Sequence, residues 1–116
     1  MDRENDINFV EVSTPYGEIG LVTLTREKSL NALSYSMAMA LHHQLTDWQD
    51  KKEILAVIIR SPYEKVFSAG GDIRQLYQAR HHPPEKIMQF FADEYRLNHY
   101  IYHYPKPYIA FINGIA

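Results

Sequence analysis

A chain of 116 residues with 46% hydrophobic content has room for one core and is too short for two ordinary domains. Its 12 Lys and Arg against 14 Asp and Glu leave a formal net charge of -2 with no basic run, which argues against nucleic acid or an anionic membrane surface as a partner. Cysteine is absent, the N-terminal Met1 to Asp6 is polar and acidic, and no window approaches the roughly 20 apolar residues of a membrane span, so a cytoplasmic protein without disulfides or thiolate metal sites is expected.

Residues 8–13 and 19–25 are rich in Val, Ile and Thr and flank Pro15, Tyr16 and Gly17, a pattern that predicts a β-hairpin. Ser34 then stands where an N-cap belongs. Met37, Leu41, Leu45 and Trp48 recur at one helical period behind it, which predicts a helix over about residues 34–51. The continuous apolar run 54–59 is short and β-branched, and it predicts a strand covered on both faces. Strand, helix and strand in that order imply a crossover in a mostly parallel sheet.

The loop from Ser61 to Lys65 leads through Val66 and Phe67 to the adjacent glycines Gly70 and Gly71. A second helix is predicted over 72–80, with Asp72 complementing its positive end. Pro83 and Pro84 break it. A longer helix over about 85–103 follows, with Ile87, Phe90, Phe91, Tyr95 and Leu97 on a broad apolar stripe, and Pro105 and Pro107 end it. Residues 108–112 predict a second buried strand, and Asn113-Gly114 a turn. Such a strand needs a covering element on its far face, so the sequence is expected to be the first part of a larger α/β domain. Left uncovered, that apolar surface would favour association with a second copy.

The glycine pair is the chemically telling feature. Glycine reaches φ > 0 cheaply, so a Gly-Gly turn between a strand and a helix can leave its N–H groups pointing outward, where they stabilise a standing anion or a developing oxyanion. The plain alternative is a tight strand-to-helix turn. The histidines supply no comparable pattern. His42-His43 and His81-His82 are adjacent pairs that diverge on a helix, and His99 and His103 lack further ligands, so no metal site is expected. Tyr95, Tyr100, Tyr102, Tyr104 and Tyr108 are interleaved with only Arg96 and Lys106, too few basic residues for a base-stacking platform, so packing is expected.

Three blocks in order and at matching spacing resemble the enoyl-CoA hydratase/isomerase (crotonase) superfamily: residues 24–33, residues 67–73, and residues 105–110 with Asn113-Gly114. The stretch 90–98 is similar to the 3-hydroxyisobutyryl-CoA hydrolase branch. The resemblance implies a crotonase-like β-β-α spiral, represented by its N-terminal portion. It implies an acyl-CoA thioester as the small-molecule substrate, with no separate cofactor and hydrolysis of a 3-hydroxyacyl-CoA in the complete domain. A hydratase or isomerase, and a catalytically inactive interaction module, are the alternatives. By motif, Gly71 supplies an oxyanion-hole N–H. Ala69, Gly70, Asp72 and Ile73 line the coenzyme A path, Leu30 and Ala32 face it, and Lys28 stands near the coenzyme A phosphates. Glu94, on a helix ordinarily a solvated charge, contacts the acyl group. The family's second oxyanion amide and its acid/base residues belong to blocks beyond the one matched at Asn113-Gly114, and the 116 residues contain neither.

Overall fold

The computed structural model describes residues 6–26, 29, 31–63, 68 and 81–111. Within them a four-stranded sheet is ordered β1 (Ile7–Thr14), β2 (Gly17–Leu24), β3 (Ile54–Arg60), β4 (Tyr108–Ala110). Two helices, α1 (Tyr35–Gln49) and α2 (Pro84–Tyr102), complete the described elements. The predicted helix over 72–80 and the turn at Asn113-Gly114 lie outside the described residues.

The hairpin forms where its turn residues place it. Thr14 pairs with Gly17, the Thr14 hydroxyl donates to the Gly17 carbonyl at 2.7 Å, and the Tyr16 N–H donates back to Thr14 Oγ1 at 3.2 Å. Gly17 holds φ +148°, a conformation that favours glycine, and a Cβ there would push aside the exposed Leu55 side chain, whose Cδ1 stands at 2.8 Å. β1 and β2 are antiparallel, whereas β2–β3 and β3–β4 are parallel. The chain therefore passes from β2 to a parallel neighbour through α1, as the strand-helix-strand order predicts.

Ser34 caps α1, accepting the Met37 N–H at 3.2 Å. Met37, Leu41, Leu45 and Trp48 are buried, as their period predicts, and pack with Ile7, Val22, Leu24, Val57 and Ile59 in a single core. The C-terminal end of α1 has no basic residue in its last turn. Lys106, from the loop after α2, supplies the charge by donating to the Trp48 and Lys51 carbonyls.

Three expectations change. β3 is buried at Ile54, Val57 and Ile59 but exposed at Leu55 and Arg60, because the described core lies on one side of the sheet. An irregularity between Glu18 and Ile19 pairs Glu18 with Ile54 and Ile19 with Ala56, and this extra residue lets the odd-spaced Ile54 and Val57 both face the core. Among the described residues β4 is an edge strand rather than a buried one, with Ile109 43% exposed; residue 112 of the predicted strand lies outside them. The stripe predicted on α2 holds at Leu97 and fails at Phe91 and Tyr95, while the side chains of Ile87 and Phe90 lie outside those described. Leu97 and Tyr104 are buried and Tyr100 and Ile101 partly so, while Phe91 and Tyr95 are exposed. Asp93, Leu97, Tyr100 and Tyr104 follow one another at spacings of four, three and four. That row meets α1: Asp93 accepts from Tyr35, Tyr100 donates to Gln49, and Tyr104 donates to the Leu45 carbonyl at 2.7 Å. Burial pushes the Tyr104 and Tyr108 phenols up to about 12.

Candidate functional site

Of the residues singled out in the sequence, Ala32 and Glu94 are among those the structure describes. Lys28, Leu30, Ala69, Gly70, Gly71, Asp72 and Ile73 lie outside them. The described part of the site is built from the loop between β2 and α1 and from the face of α2 opposite it.

That loop is organised around Arg26 and Asn31. The Arg26 carbonyl accepts the Ser29 and Asn31 N–H groups at 3.1 and 2.9 Å, and the Ala32 N–H donates to the Ser29 carbonyl at 2.9 Å. The Arg26 N–H donates to Asn31 Oδ1 at 2.8 Å, and its guanidinium Nη1 donates to the Ala32 carbonyl at 2.9 Å. Arg26 Nε also stands 3.8 Å from Asp6 Oδ2. Asn31 is fully buried and takes φ +54°, a left-handed conformation that asparagine tolerates better than most residues. Ala32 is buried beside it.

Past Ala32 the chain enters α1, whose first turn forms one wall of a small cleft of about 40 Å³. Leu33, Tyr35, Ala38 and Met39 line it from the α1 side, and Glu94, Leu97 and Asn98 from α2. The fold thus brings Glu94 to the segment that directly follows Ala32. Its neighbour Asp93 is engaged differently. Asp93 Oδ2 accepts the Tyr35 hydroxyl at 2.7 Å, and Oδ1 accepts from Gln89 at 2.8 Å and Arg96 at 3.1 Å. The Tyr35 hydrogen bond, with Gln89 and Arg96, holds the Asp93 carboxyl below its ordinary value despite partial burial. The same bond, and burial, raise the Tyr35 phenol. Asp93 therefore joins the two helices, while Glu94 lines the cleft beside Leu97 and Asn98.

The sequence reading assigned no part to Asn31, Ser61, Ser68 or Tyr35. The signal available was a polar residue inside the apolar Leu30 to Leu33 block, since a buried Asn is uncommon unless its amide is fully bonded. Among the described residues no group of three or more His, Cys, Asp or Glu is placed to hold a metal ion.

The sequence profile of the enoyl-CoA hydratase/isomerase family matches residues 19–116. The chain belongs to the enoyl-CoA hydratase/isomerase family. Among this family's members it is similar to the 3-hydroxyisobutyryl-CoA hydrolase, mitochondrial, of Danio rerio, with 44% identity over 100 residues that make up 86% of this chain and 26% of the relative. The protein of the same name from Homo sapiens is 39% identical over the same shares. The chain thus spans about a quarter of the length of these curated relatives. Among solved structures, a carnitinyl-CoA dehydratase from Mycobacterium thermoresistibile superposes with a TM-score of 0.83 at 32% identity, covering 97% of this chain and 32% of that one. An enoyl-CoA hydratase from Bacillus anthracis superposes with a TM-score of 0.78 at 27% identity, over 96% and 41%. The enoyl-CoA hydratase/isomerase architecture is therefore this chain's own: a mixed α/β fold opening with an antiparallel hairpin.

Proposed function

We propose that this chain binds an acyl-CoA thioester and that, within a complete family domain, it contributes the substrate side of a 3-hydroxyacyl-CoA hydrolase. The observation that carries this reading is the 44% identity to a 3-hydroxyisobutyryl-CoA hydrolase across 86% of the chain. The cleft that joins Glu94 to the segment after Ala32 supports it. In this reading the Gly71 N–H is one donor of the oxyanion hole, worth about 3 to 4 kcal/mol to the transition state when the thioester oxygen gains charge. Ala69, Gly70, Asp72 and Ile73, with Leu30 and Ala32, line the coenzyme A path. Lys28 meets the phosphates, and Glu94 meets the acyl hydroxyl.

A hydratase is the second reading, because the similar solved structures are named as a carnitinyl-CoA dehydratase and an enoyl-CoA hydratase. Calorimetric titration with 3-hydroxyisobutyryl-CoA and with an enoyl-CoA tests both, using Gly71→Pro as control. Saturable heat with the hydroxyacyl thioester, weakened in the variant, supports the hydrolase reading. Preference for the enoyl thioester supports the hydratase, and equal heats from both proteins remove Gly71 from the site. Cytoplasmic residence is proposed from the cysteine-free composition, whereas the vertebrate relatives are named as mitochondrial. Imaging a C-terminal fluorescent fusion separates the two compartments.

A further inference from the structure

A left-handed turn in a surface loop is ordinarily given to glycine, which adopts it without steric cost. Asn31 holds that conformation at φ +54° while its side chain is buried and bonded at both ends. Oδ1 accepts the Arg26 N–H within its own loop, and Nδ2 donates across to Ser61 Oγ, just past the end of β3, at 2.9 Å. Its backbone carbonyl accepts the Ser68 hydroxyl, also at 2.9 Å, and Ser61 Oγ accepts the Tyr63 N–H at 3.1 Å. Ser61 and Ser68 are themselves buried. Glycine would serve the turn alone. What asparagine adds is a pair of bonds, one inside the β2–α1 loop and one to a segment 30 residues away.

We infer that Asn31 is a positioning residue: it clamps the loop that carries Ala32 to the chain following β3, and so holds the Ala32 side of the acyl-CoA path in place. The inference rests on the acyl-CoA reading for its functional consequence but not for the clamp itself. In the sequence, Asn31 lies between Leu30 and Ala32, and Ser68 leads into Ala69 and the glycine pair. A single buried residue thus joins both blocks to which coenzyme A contacts are assigned. The Asn31–Ser61 and Ser68–Asn31 bonds are buried, where losing a hydrogen bond costs more than it does at the surface.

The test uses Ser61→Ala, Asn31→Gly, the double variant, and Ser61→Thr, which restores the hydroxyl. Amide hydrogen exchange on the unliganded proteins reads the clamp directly. In Ser61→Ala and Asn31→Gly the Ala32 amide exchanges about tenfold faster while the β1–β2 hairpin amides keep their protection. Titration with 3-hydroxyisobutyryl-CoA reads the consequence: each single variant binds about tenfold more weakly, the double variant no more weakly than either, and Ser61→Thr recovers the affinity. Unchanged Ala32 exchange in both single variants overturns the clamp, whatever the binding result. Altered exchange with unchanged affinity overturns the positioning role. If the wild-type chain takes up no acyl-CoA, the proposed function fails and the exchange data alone decide whether Asn31 clamps the loop.

Discussion

Gly20 and Trp48 are the tightest residue-scale fit in the described core. A Cβ on Gly20 would stand 2.6 Å from both Cε3 and Cζ3 of the indole, closer than real Cβ contacts come. The ring has little room to retreat. Its Nε1–H donates to Glu11 Oε2 at 3.0 Å, and Phe9 meets it edge-on with centroids 6.1 Å apart. Gly20→Ala is therefore expected to destabilise the fold by about 1–3 kcal/mol through overpacking, read as a lower urea midpoint at unchanged slope. A variant as stable as wild type would mean that the indole swings aside. The burial of Trp48 was legible in the helical period, but the glycine beneath it was not. A glycine inside a strand signals that something approaches the backbone closely without naming what does, and the partner here is 28 positions away. Asn31 eluded the sequence for the same reason, since its bond to Ser61 depends on how two loops meet.

At the scale of elements, the pairing of α1 with α2 shows why strand and helix positions were readable while the buried stripe of α2 was not. Caps, prolines and apolar period place the hairpin, both helices and β3 nearly to the residue, because those signals are local. α2 and the turn that follows it, however, carry two rows rich in aromatics. One, with Phe91, Tyr95 and Tyr102, is exposed; the other, with Tyr100 and Tyr104, turns its hydroxyls onto α1. Composition cannot rank them, and the partners of the phenols decide. The Tyr35–Asp93 bond closes this pairing at the N-terminal end of α1. With its pKa depressed, Asp93 contributes stability that is present above the ordinary carboxylate range and lost as pH falls through its folded value. Tyr35, with its pKa raised, contributes below the ordinary phenol range and loses that contribution as pH rises through its folded value. Tyr35→Phe should cost only about 0.5–1 kcal/mol at neutral pH, since the tyrosine is partly exposed. The more diagnostic outcome is a flatter acid limb in a plot of melting temperature against pH. An acid limb identical to wild type would assign the low-pH loss to other carboxylates.

Taken as a whole, the molecule is a sheet with one face covered and one face open among the described residues. Val10, Leu21, Ile58 and Ile109 align in register across all four strands, one residue from each. They lie on the side away from α1, and the two edge positions are the most exposed, Val10 at 51% and Ile109 at 43%. Val12 and Phe111 extend the same apolar character along the two edge strands. A contiguous row of this kind, unlike scattered single residues, is a surface to which other apolar groups adhere. Among the described residues, the outer edges of β1 and β4 have no strand partner and add backbone groups to it. Placing a lysine at each edge, Val10→Lys with Ile109→Lys, uses the device by which natural sheets blunt such edges. It removes little packing, so stability is expected to stay within about 0.5 kcal/mol. Hydrophobic-dye fluorescence and the concentration dependence of the elution volume should both fall. Retained dye binding would place the sticky surface elsewhere, with exposed Phe91, Tyr95 and Tyr102 on α2 as the next candidates. Loss of cooperative unfolding would instead show that the row belongs to the core.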